Sequence, residues 1–269
     1  MKPSPRLRLG TTPCPNDSYL LGALATGQVD LPGIDLALER ADIETLNAGV
    51  LAGDYDIAKI SCAVYAGVAD DYALLDVGAA LADGHGPLVL ARRVLSPREI
   101  ACTRMVAPGE HTTGTLLLRH WAPAAPDLAW RTFNRIIDAL VDGEFELGVV
   151  IHEARFTYAA RGLHCLVDLG QWWQRTRGLP VPLGCYVIRR TLYARYARAV
   201  EQMMLNALAR AASGDAAIRD YIRAHAQELD DTAIDRHIGL YVNRHTYALG
   251  ARGRHAIAAL GTARRAALA

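Results

Sequence analysis

The first two thirds of the chain alternate short apolar runs with segments of helical periodicity. The apolar runs predict strands at 6–10, 36–39, 56–60, 84–92, 102–107 and 147–151. The periodic segments predict helices at 18–26, 43–51, 62–69, 113–121 and 129–141, the first capped by Asn16 or Asp17 and the second by Asp42. From residue 191 onward the pattern predicts helices alone, at 192–212, 215–227, 230–242 and 251–267. This order predicts an α/β fold followed by a helical part.

Two stretches of the chain match each other over eight positions, Gly53 to Ile60 and Gly143 to Val150. In each, a glycine after a helix provides the left-handed residue that ends it. Two acids with an aromatic residue between them come next, and a strand follows. Helix, glycine, acid and strand is also common in α/β proteins generally. The length of the match predicts two similar lobes that face each other across a ligand cleft. We place lobe I at 1–92 plus 185–269 and lobe II at 93–184, with a hinge at 93–97.

The strand predicted at 147–151 delivers His152 to its carboxyl end, where ligands collect in open α/β sheets. Small polar side chains follow other strands in the same way, at Asn16, Ser61, Thr112 and Thr113. Helices begin at these junctions, and their unpaired backbone N–H groups favour carboxylate or phosphate. Each of these side chains is also an ordinary helix cap, so a role in capping alone remains open. The pattern favours an anionic small molecule in the cleft, with His152 as the candidate base.

Composition restricts the class of partner. The chain has 269 residues and a net charge of +1, with 29 basic and 28 acidic residues spread along it. This balance is not typical of proteins that bind nucleic acid or anionic membranes. The five cysteines have no C-x-x-C spacing, and no export signal or membrane span is seen in the sequence, so we expect a cytoplasmic protein.

Several familiar chemistries find no support in the motifs. His152-Glu153 begins like a zinc protease helix, but Phe156 occupies the position of the second histidine. Neither a dinucleotide fingerprint, a phosphate-binding P-loop nor a G-x-S-x-G elbow is present. We therefore expect no metal and no cofactor. A small-molecule binding protein without enzymatic activity remains an alternative.

A set of motifs, in one order and nearly end to end, resembles the 1,4-dihydroxy-6-naphthoate synthase family of the futalosine route to menaquinone. They are Thr12-Pro-Cys-Pro-Asn-Asp17, Lys59-Ile-Ser61, Gly84-His-Gly-Pro-Leu88, Gly109-Glu-His-Thr-Thr113, Ile151-His-Glu-Ala-Arg-Phe-Thr-Tyr158, Trp172-Trp173, Gly178-Leu-Pro-Val-Pro-Leu-Gly184 and Tyr241-Val-Asn243.

The resemblance implies a two-lobed fold like that of type II periplasmic solute-binding proteins, with mixed sheets flanked by helices. It implies a lyase that converts cyclic dehypoxanthine futalosine to 1,4-dihydroxy-6-naphthoate and a sugar-derived fragment. His152 is then the general base, and the implied substrate-binding residues are Ser61, Thr112, Thr113, Asn16, Lys59 and Gly86. Gly114 departs from the small residue, such as alanine, that is usual in the family. The chorismate dehydratase of the same pathway is the second enzymatic alternative.

Overall fold

The computed structural model describes residues 5–124, 128–151, 154–226 and 230–268, and it is an α/β protein with two mixed sheets. The strands are β1 (Arg6–Thr11), β2 (Asp35–Arg40), β3 (Ile57–Ser61), β4 (Tyr72–Leu74), β5 (Ala80–Ala82), β6 (Leu88–Ala91), β7 (Met105–Ala107), β8 (Leu128–Trp130), β9 (Leu147–Val150), β10 (His164–Asp168) and β11 (Val181–Arg189).

Helices cover both sheets and make up the C-terminal part. They are α1 (Pro15–Ala25), α2 (Ile43–Ala52), α3 (Cys62–Val68), α4 (Pro97–Cys102), α5 (Thr113–Trp121), α6 (Phe133–Val141), α7 (Ala154–Thr157), α8 (Leu169–Arg177), α9 (Arg190–Ala212), α10 (Ala216–His225), α11 (Asp231–Tyr241), α12 (Arg244–Tyr247) and α13 (Gly250–Leu268), with a 3-10 turn at Tyr158–Arg161.

The first sheet has the strand order β2-β1-β3-β11-β4, with β5 paired to β11, and the second has the order β10-β6-β9-β7-β8. In the first, β1 is parallel to β2 and β3, while β11 is antiparallel to its neighbours. In the second, β9 is parallel to β7 and antiparallel to β6. Both central strands β3 and β9 are buried along their whole length. For β9 its uncharged apolar run predicts this burial.

The two matching stretches occupy equivalent places in the two sheets. Gly53 ends α2 at a φ of 79°, and Gly143 follows α6 at a φ of 77°. Each glycine leads into a central strand, β3 in the first sheet and β9 in the second. The sequence correctly predicted left-handed backbone at both positions.

The chain crosses from the first sheet to the second between β5 and β6, and it crosses back between β10 and β11. The helices α9, α10 and α11 pack against α1, and α13 packs against α3, so the C-terminal part covers the first sheet. The lobe limits given above stay a prediction. We propose that the true crossings follow the sheets and lie a few residues earlier in the chain.

Three local predictions were wrong. The first helix begins at Pro15 with Cys14 as its cap residue, because proline at a first helical position is preorganised and needs no N–H acceptor. Neither Asn16 nor Asp17 therefore caps it. Ala129 lies in strand β8, whose pairing with β7 overrides its helical periodicity, and the helix starts at Phe133. The strand predicted from 102 begins at Met105, because Ser96 and Glu99 form a capping box that starts α4.

Candidate active site

A cleft of about 690 Å³, counting the part open to solvent, lies between elements of the two sheets. Clefts of this size are typical of sites for small organic ligands. The wall from the first sheet and its helices includes Thr12, Asn16, Asp17, Ile43, Lys59, Ser61, Ala80, Leu183, Gly184, His237 and Tyr241. The opposite wall includes Gly86, Pro87, Thr112, Thr113, Gly114, Val150, Ile151 and Arg155. All six substrate-binding residues predicted from sequence thus lie in one cleft.

Three helices direct their N-terminal ends at this cleft. Asn16 is in the first turn of α1, Ser61 precedes α3, and Thr112 and Thr113 begin α5. Helix N-termini carry unpaired N–H groups and partial positive charge, so this arrangement favours a negatively charged ligand.

Ser61 occupies the cap position of α3 but makes no side-chain capping bond. Its backbone N–H donates to Oδ1 of Asn47 at 2.8 Å, and its hydroxyl oxygen accepts from Nδ2 of Asn47 at 3.1 Å. Because the hydroxyl accepts there, its own hydrogen remains available to a ligand. Asn47 thus orients Ser61 toward the cleft.

The two threonines differ from Ser61 and from each other. Thr112 caps α5: its hydroxyl accepts from the backbone N–H of Thr115 at 3.2 Å. The hydroxyl of Thr113 donates to the Leu183 carbonyl at 3.0 Å and accepts from the backbone N–H of Ala63 at 3.3 Å. Thr113 therefore ties the start of α5 to β11 and α3 of the first sheet.

Lys59 is the charged residue of strand β3, whose other residues are apolar except for Ser61. Its ammonium donates to Oδ1 of Asp17 at 2.8 Å and to the Gly78 carbonyl at 3.1 Å, and it lies 4.9 Å from the ring centroid of Tyr186. Burial raises the pKa of the Tyr186 hydroxyl well above its usual value, so this ring faces the ammonium as a neutral phenol. A Cβ on Gly184 would lie 2.7 Å from Cε of Lys59, which explains the glycine beside it.

Asn16 connects this buried ion pair to the C-terminal helices. Its Nδ2 donates to Oδ1 of Asp17 at 3.1 Å, and its Oδ1 lies 2.8 Å from Nε2 of His237 on α11. The ring of His237 lies 4.6 Å from that of Tyr241, which also lines the cleft.

Gly86 allows two backbone segments to approach closely. A Cβ on Gly86 would lie 2.8 Å from both Cα and N of Gly170, at the start of α8. The Gly86 carbonyl accepts from Nη1 of Arg155 at 2.9 Å, and Nη2 of Arg155 lies 3.2 Å from Oδ2 of Asp168. Arg155 is thus held at the cleft wall by two partners.

A hydrogen-bonded contact between residues that do not line the cleft joins its two sides. The Glu44 carboxylate on α2 accepts from the backbone N–H of His111 at 3.1 Å and lies 2.6 Å from Nδ1 of the same residue. Gly109 permits this approach, since a Cβ there would lie 2.6 Å from the carboxylate. Nδ2 of Asn47 donates to Glu44 at 3.3 Å, which links the contact to Ser61.

His85, in the segment before β6, is a second ring near Tyr241, at 5.5 Å between centroids. Burial lowers its pKa, and its Nε2 has no hydrogen-bond partner among the described residues. Its ring is therefore maintained as neutral imidazole near neutral pH.

His152, the base predicted from sequence, lies outside the described residues, as does Glu153. Ile151, immediately before it, and Arg155, three residues after it, both line the cleft. The assignment of His152 as base stays a prediction.

The part of the chain that the structure describes has two features that bear on other functions. There, no group of three or more His, Cys, Asp or Glu side chains is placed to hold a metal ion. No helix within those residues has the length and apolarity needed to cross a membrane.

The sequence of the whole chain matches a known family. The family model described as menaquinone biosynthesis matches residues 7–265. The chain belongs to this family. It is 42% identical to the 1,4-dihydroxy-6-naphthoate synthase of Thermus thermophilus, covering 94% of this chain and 92% of the relative. It is also 42% identical to the synthase of the same name from Streptomyces coelicolor, covering 95% and 92%.

Solved structures confirm the two-lobed fold that the resemblance implied. An Archaeoglobus fulgidus protein is 33% identical with a TM-score of 0.90, and 97% of both chains are covered. The periplasmic aliphatic sulphonate binding protein of Escherichia coli is 11% identical with a TM-score of 0.67, covering 97% of this chain and 86% of the other. The second likeness shows the fold alone, which is that of periplasmic binding proteins.

The polar and aromatic residues of the cleft that sequence reasoning did not assign to it include Arg155, His237 and Tyr241. Arg155 lies in the same motif as His152, and its position soon after a central strand was the signal that could have found it. His237 gave no local signal, because α11 reaches the cleft through packing against α1. Tyr241 belongs to the Tyr241-Val-Asn243 motif, but nothing in that motif showed that it lines the cleft.

Proposed function

We propose that this chain is a lyase that converts cyclic dehypoxanthine futalosine to 1,4-dihydroxy-6-naphthoate with release of a sugar-derived fragment, in menaquinone biosynthesis. The observation that carries the proposal is the near full-length identity to two synthases of that name. The cleft supports it, because the Ser61 hydroxyl, the Asn16 amide and helix N-termini of both walls line a space suited to a small anion. Neither relative is named as a chorismate dehydratase, so that alternative is not favoured.

We further propose that the substrate carboxylate, or an oxyanion formed from the substrate, lies between Ser61 and the start of α5. Ser61 has a hydroxyl hydrogen to donate, since Asn47 already donates to its oxygen. Thr113 and the α5 N-terminus face it from the other wall. Donors fixed before the reaction stabilise a developing charge more than solvent does, because they need not reorganise.

His152 is the proposed general base. An unperturbed imidazole has a pKa of about 6.5, so it can accept a proton near neutral pH without a large shift. Removal of a substrate proton starts the fragmentation, and formation of the aromatic naphthol drives it. Proton removal followed by carbon–carbon cleavage is redox-neutral, and we therefore propose a reaction without a cofactor.

Lys59 and Gly86 act through the protein in this proposal. The ammonium of Lys59 donates to Asp17 and to a backbone carbonyl, so it fixes the polar side chains in this wall of the cleft. Gly86 lets the chain before β6 lie against α8 and positions its carbonyl for Arg155.

The proposed compartment is the cytoplasm. All five cysteines are free thiols, which fits a reducing environment.

Incubation of the purified protein with cyclic dehypoxanthine futalosine, followed by mass spectrometry, tests the proposal. We expect 1,4-dihydroxy-6-naphthoate to appear. Recovery of the compound bound but unchanged would instead favour a binding protein. A parallel incubation with chorismate that gave a dehydrated product would favour the dehydratase.

A further inference from the structure

A series of four hydrogen-bonded polar side chains runs along one wall of the cleft, from the first sheet to the C-terminal helices. Nζ of Lys59 on β3 lies 2.8 Å from Oδ1 of Asp17 on α1, and Nδ2 of Asn16 lies 3.1 Å from the same oxygen. Oδ1 of Asn16 then lies 2.8 Å from Nε2 of His237 on α11. Elements more than 200 residues apart in sequence thus meet at one amide group.

The first two of these side chains, Lys59 and Asp17, determine which atom donates and which accepts in each hydrogen bond of the series. An ammonium only donates, so the carboxylate of Asp17 accepts from it and, being ionised in this pair, also accepts from Asn16. The NH₂ group of Asn16 therefore faces Asp17, and its carbonyl oxygen faces His237. That oxygen can only accept, so Nε2 of His237 carries a hydrogen whether the ring is neutral or protonated.

Burial distinguishes Asn16 from the others. Lys59 and Asp17 are each 3% exposed and His237 is 1% exposed, whereas Asn16 is only partly buried and lines the cleft. Its Nδ2 has two hydrogens, and among the described residues only Asp17 accepts from it. The second hydrogen remains for an acceptor in the cleft.

We propose that His237 is a positioning residue for the substrate: it holds the Asn16 amide in the one orientation that presents an N–H to an oxygen of the bound anion. Without a donor at this position only the bond to Asp17 orients the amide. The amide then turns its oxygen toward the ligand more easily, and that oxygen repels an anion. The inference rests on the proposed function, since it assigns one more group to the same ligand.

Steady-state kinetics with two variants tests the role of the donor. His237→Phe keeps a ring beside Tyr241 and removes the donor, whereas His237→Gln keeps an N–H near the position of Nε2. We expect His237→Phe to raise KM by about 3- to 10-fold with kcat within about twofold, the scale of one hydrogen bond made equally in ground and transition state. His237→Gln should recover most of the lost affinity.

The same change made in the Asn16→Ala variant distinguishes loss of the positioning role of His237 from a general packing defect. In Asn16→Ala, the further change His237→Phe should alter KM by less than about twofold, because the group it positions is gone. An equal loss in both backgrounds would overturn the proposal, as would an unchanged KM in His237→Phe alone. His225→Phe is the matched control, since His225 also lies beside a tyrosine, at 4.3 Å from Tyr221, but does not line the cleft.

Nitrogen NMR of protein with labelled histidine gives a readout that needs no substrate. The set of nitrogen signals that is missing from the His237→Gln spectrum belongs to His237. In the wild type we expect these signals to show a hydrogen on Nε2. A neutral ring protonated on Nδ1 alone could not donate to Asn16 from Nε2, and it would overturn the proposal. The wild type could fail to convert cyclic dehypoxanthine futalosine and still show the hydrogen on Nε2 of His237. The proposed function would then be wrong, while the hydrogen bond from His237 to Asn16 would be supported.

Discussion

The ammonium of Lys59 lies 2.8 Å from Oδ1 of Asp17, and both residues are only 3% exposed. An ion pair removed from water in this way is costly to form and more costly to break, because one partner alone leaves an uncompensated buried charge. At this position the pair also fixes Asn16 and the wall of the cleft.

Lys59→Met should lower the free energy of unfolding by about 3–5 kcal/mol, since it leaves the Asp17 carboxylate buried without its cation. Urea unfolding measures the change. The double variant Lys59→Met with Asp17→Asn should recover part of it. Arg6→Met removes the exposed Arg6–Asp35 pair and should cost no more than about 1 kcal/mol; an equal cost for both single changes would contradict this explanation.

His152→Ala should lower kcat by about 10²-fold or more while the melting temperature stays close to that of the wild type, since a positioned base contributes on that scale. His164→Ala, at an exposed position on β10, is the control and should keep wild-type turnover. Near-normal turnover of His152→Ala would show that another group removes the proton.

Ser61→Ala should weaken ligand affinity with little effect on stability, because the Ser61 hydroxyl does not cap α3. Its partner Asn47 still donates to Glu44. Calorimetric titration with 1,4-dihydroxy-6-naphthoate and a melting curve measure the two effects. If Ser61→Ala lowered only the melting temperature and left ligand affinity unchanged, Ser61 would have a structural role and would not bind the ligand.

Thr112→Ala should behave in the opposite way and destabilise the protein by about 1 kcal/mol, since its hydroxyl caps α5. Thr112→Ser keeps the capping oxygen and should retain most of the stability. Chemical unfolding of the two variants checks this, and equal stabilities for Ala and Ser would contradict the capping role.

His85 should make the protein sensitive to mild acid. Burial lowers the pKa of His85 in the folded state, so the folded protein binds fewer protons than the unfolded chain below the unfolded value of about 6.5. The stability present above that pH is therefore lost as the pH falls below it and through the lower folded pKa.

Unfolding experiments between about pH 7 and 5 should show a steeper decline for the wild type than for His85→Gln. The charged groups that act on the ring, Asp83, Arg155 and Asp168, are the same in both proteins. Parallel pH curves would exclude His85 as the source of the effect.

Local sequence determined much of the framework. Gly53 and Gly143 ended two helices and led into two strands, and the uncharged one, β9, is buried as its apolar run predicts. Local rules failed where pairing decided the outcome, as at Ala129, whose helical periodicity gave way to the edge strand β8.

The cleft combines both kinds of information. By itself the sequence determined which residues would follow strands and begin helices, because capping, left-handed glycines and apolar periodicity act over a few residues. Only the tertiary structure decided that Thr113 binds Leu183, that Lys59 pairs with Asp17, and that His237 reaches Asn16. These contacts join residues far apart in the chain, and packing of whole sheets and helices, which no local pattern encodes, brings them together.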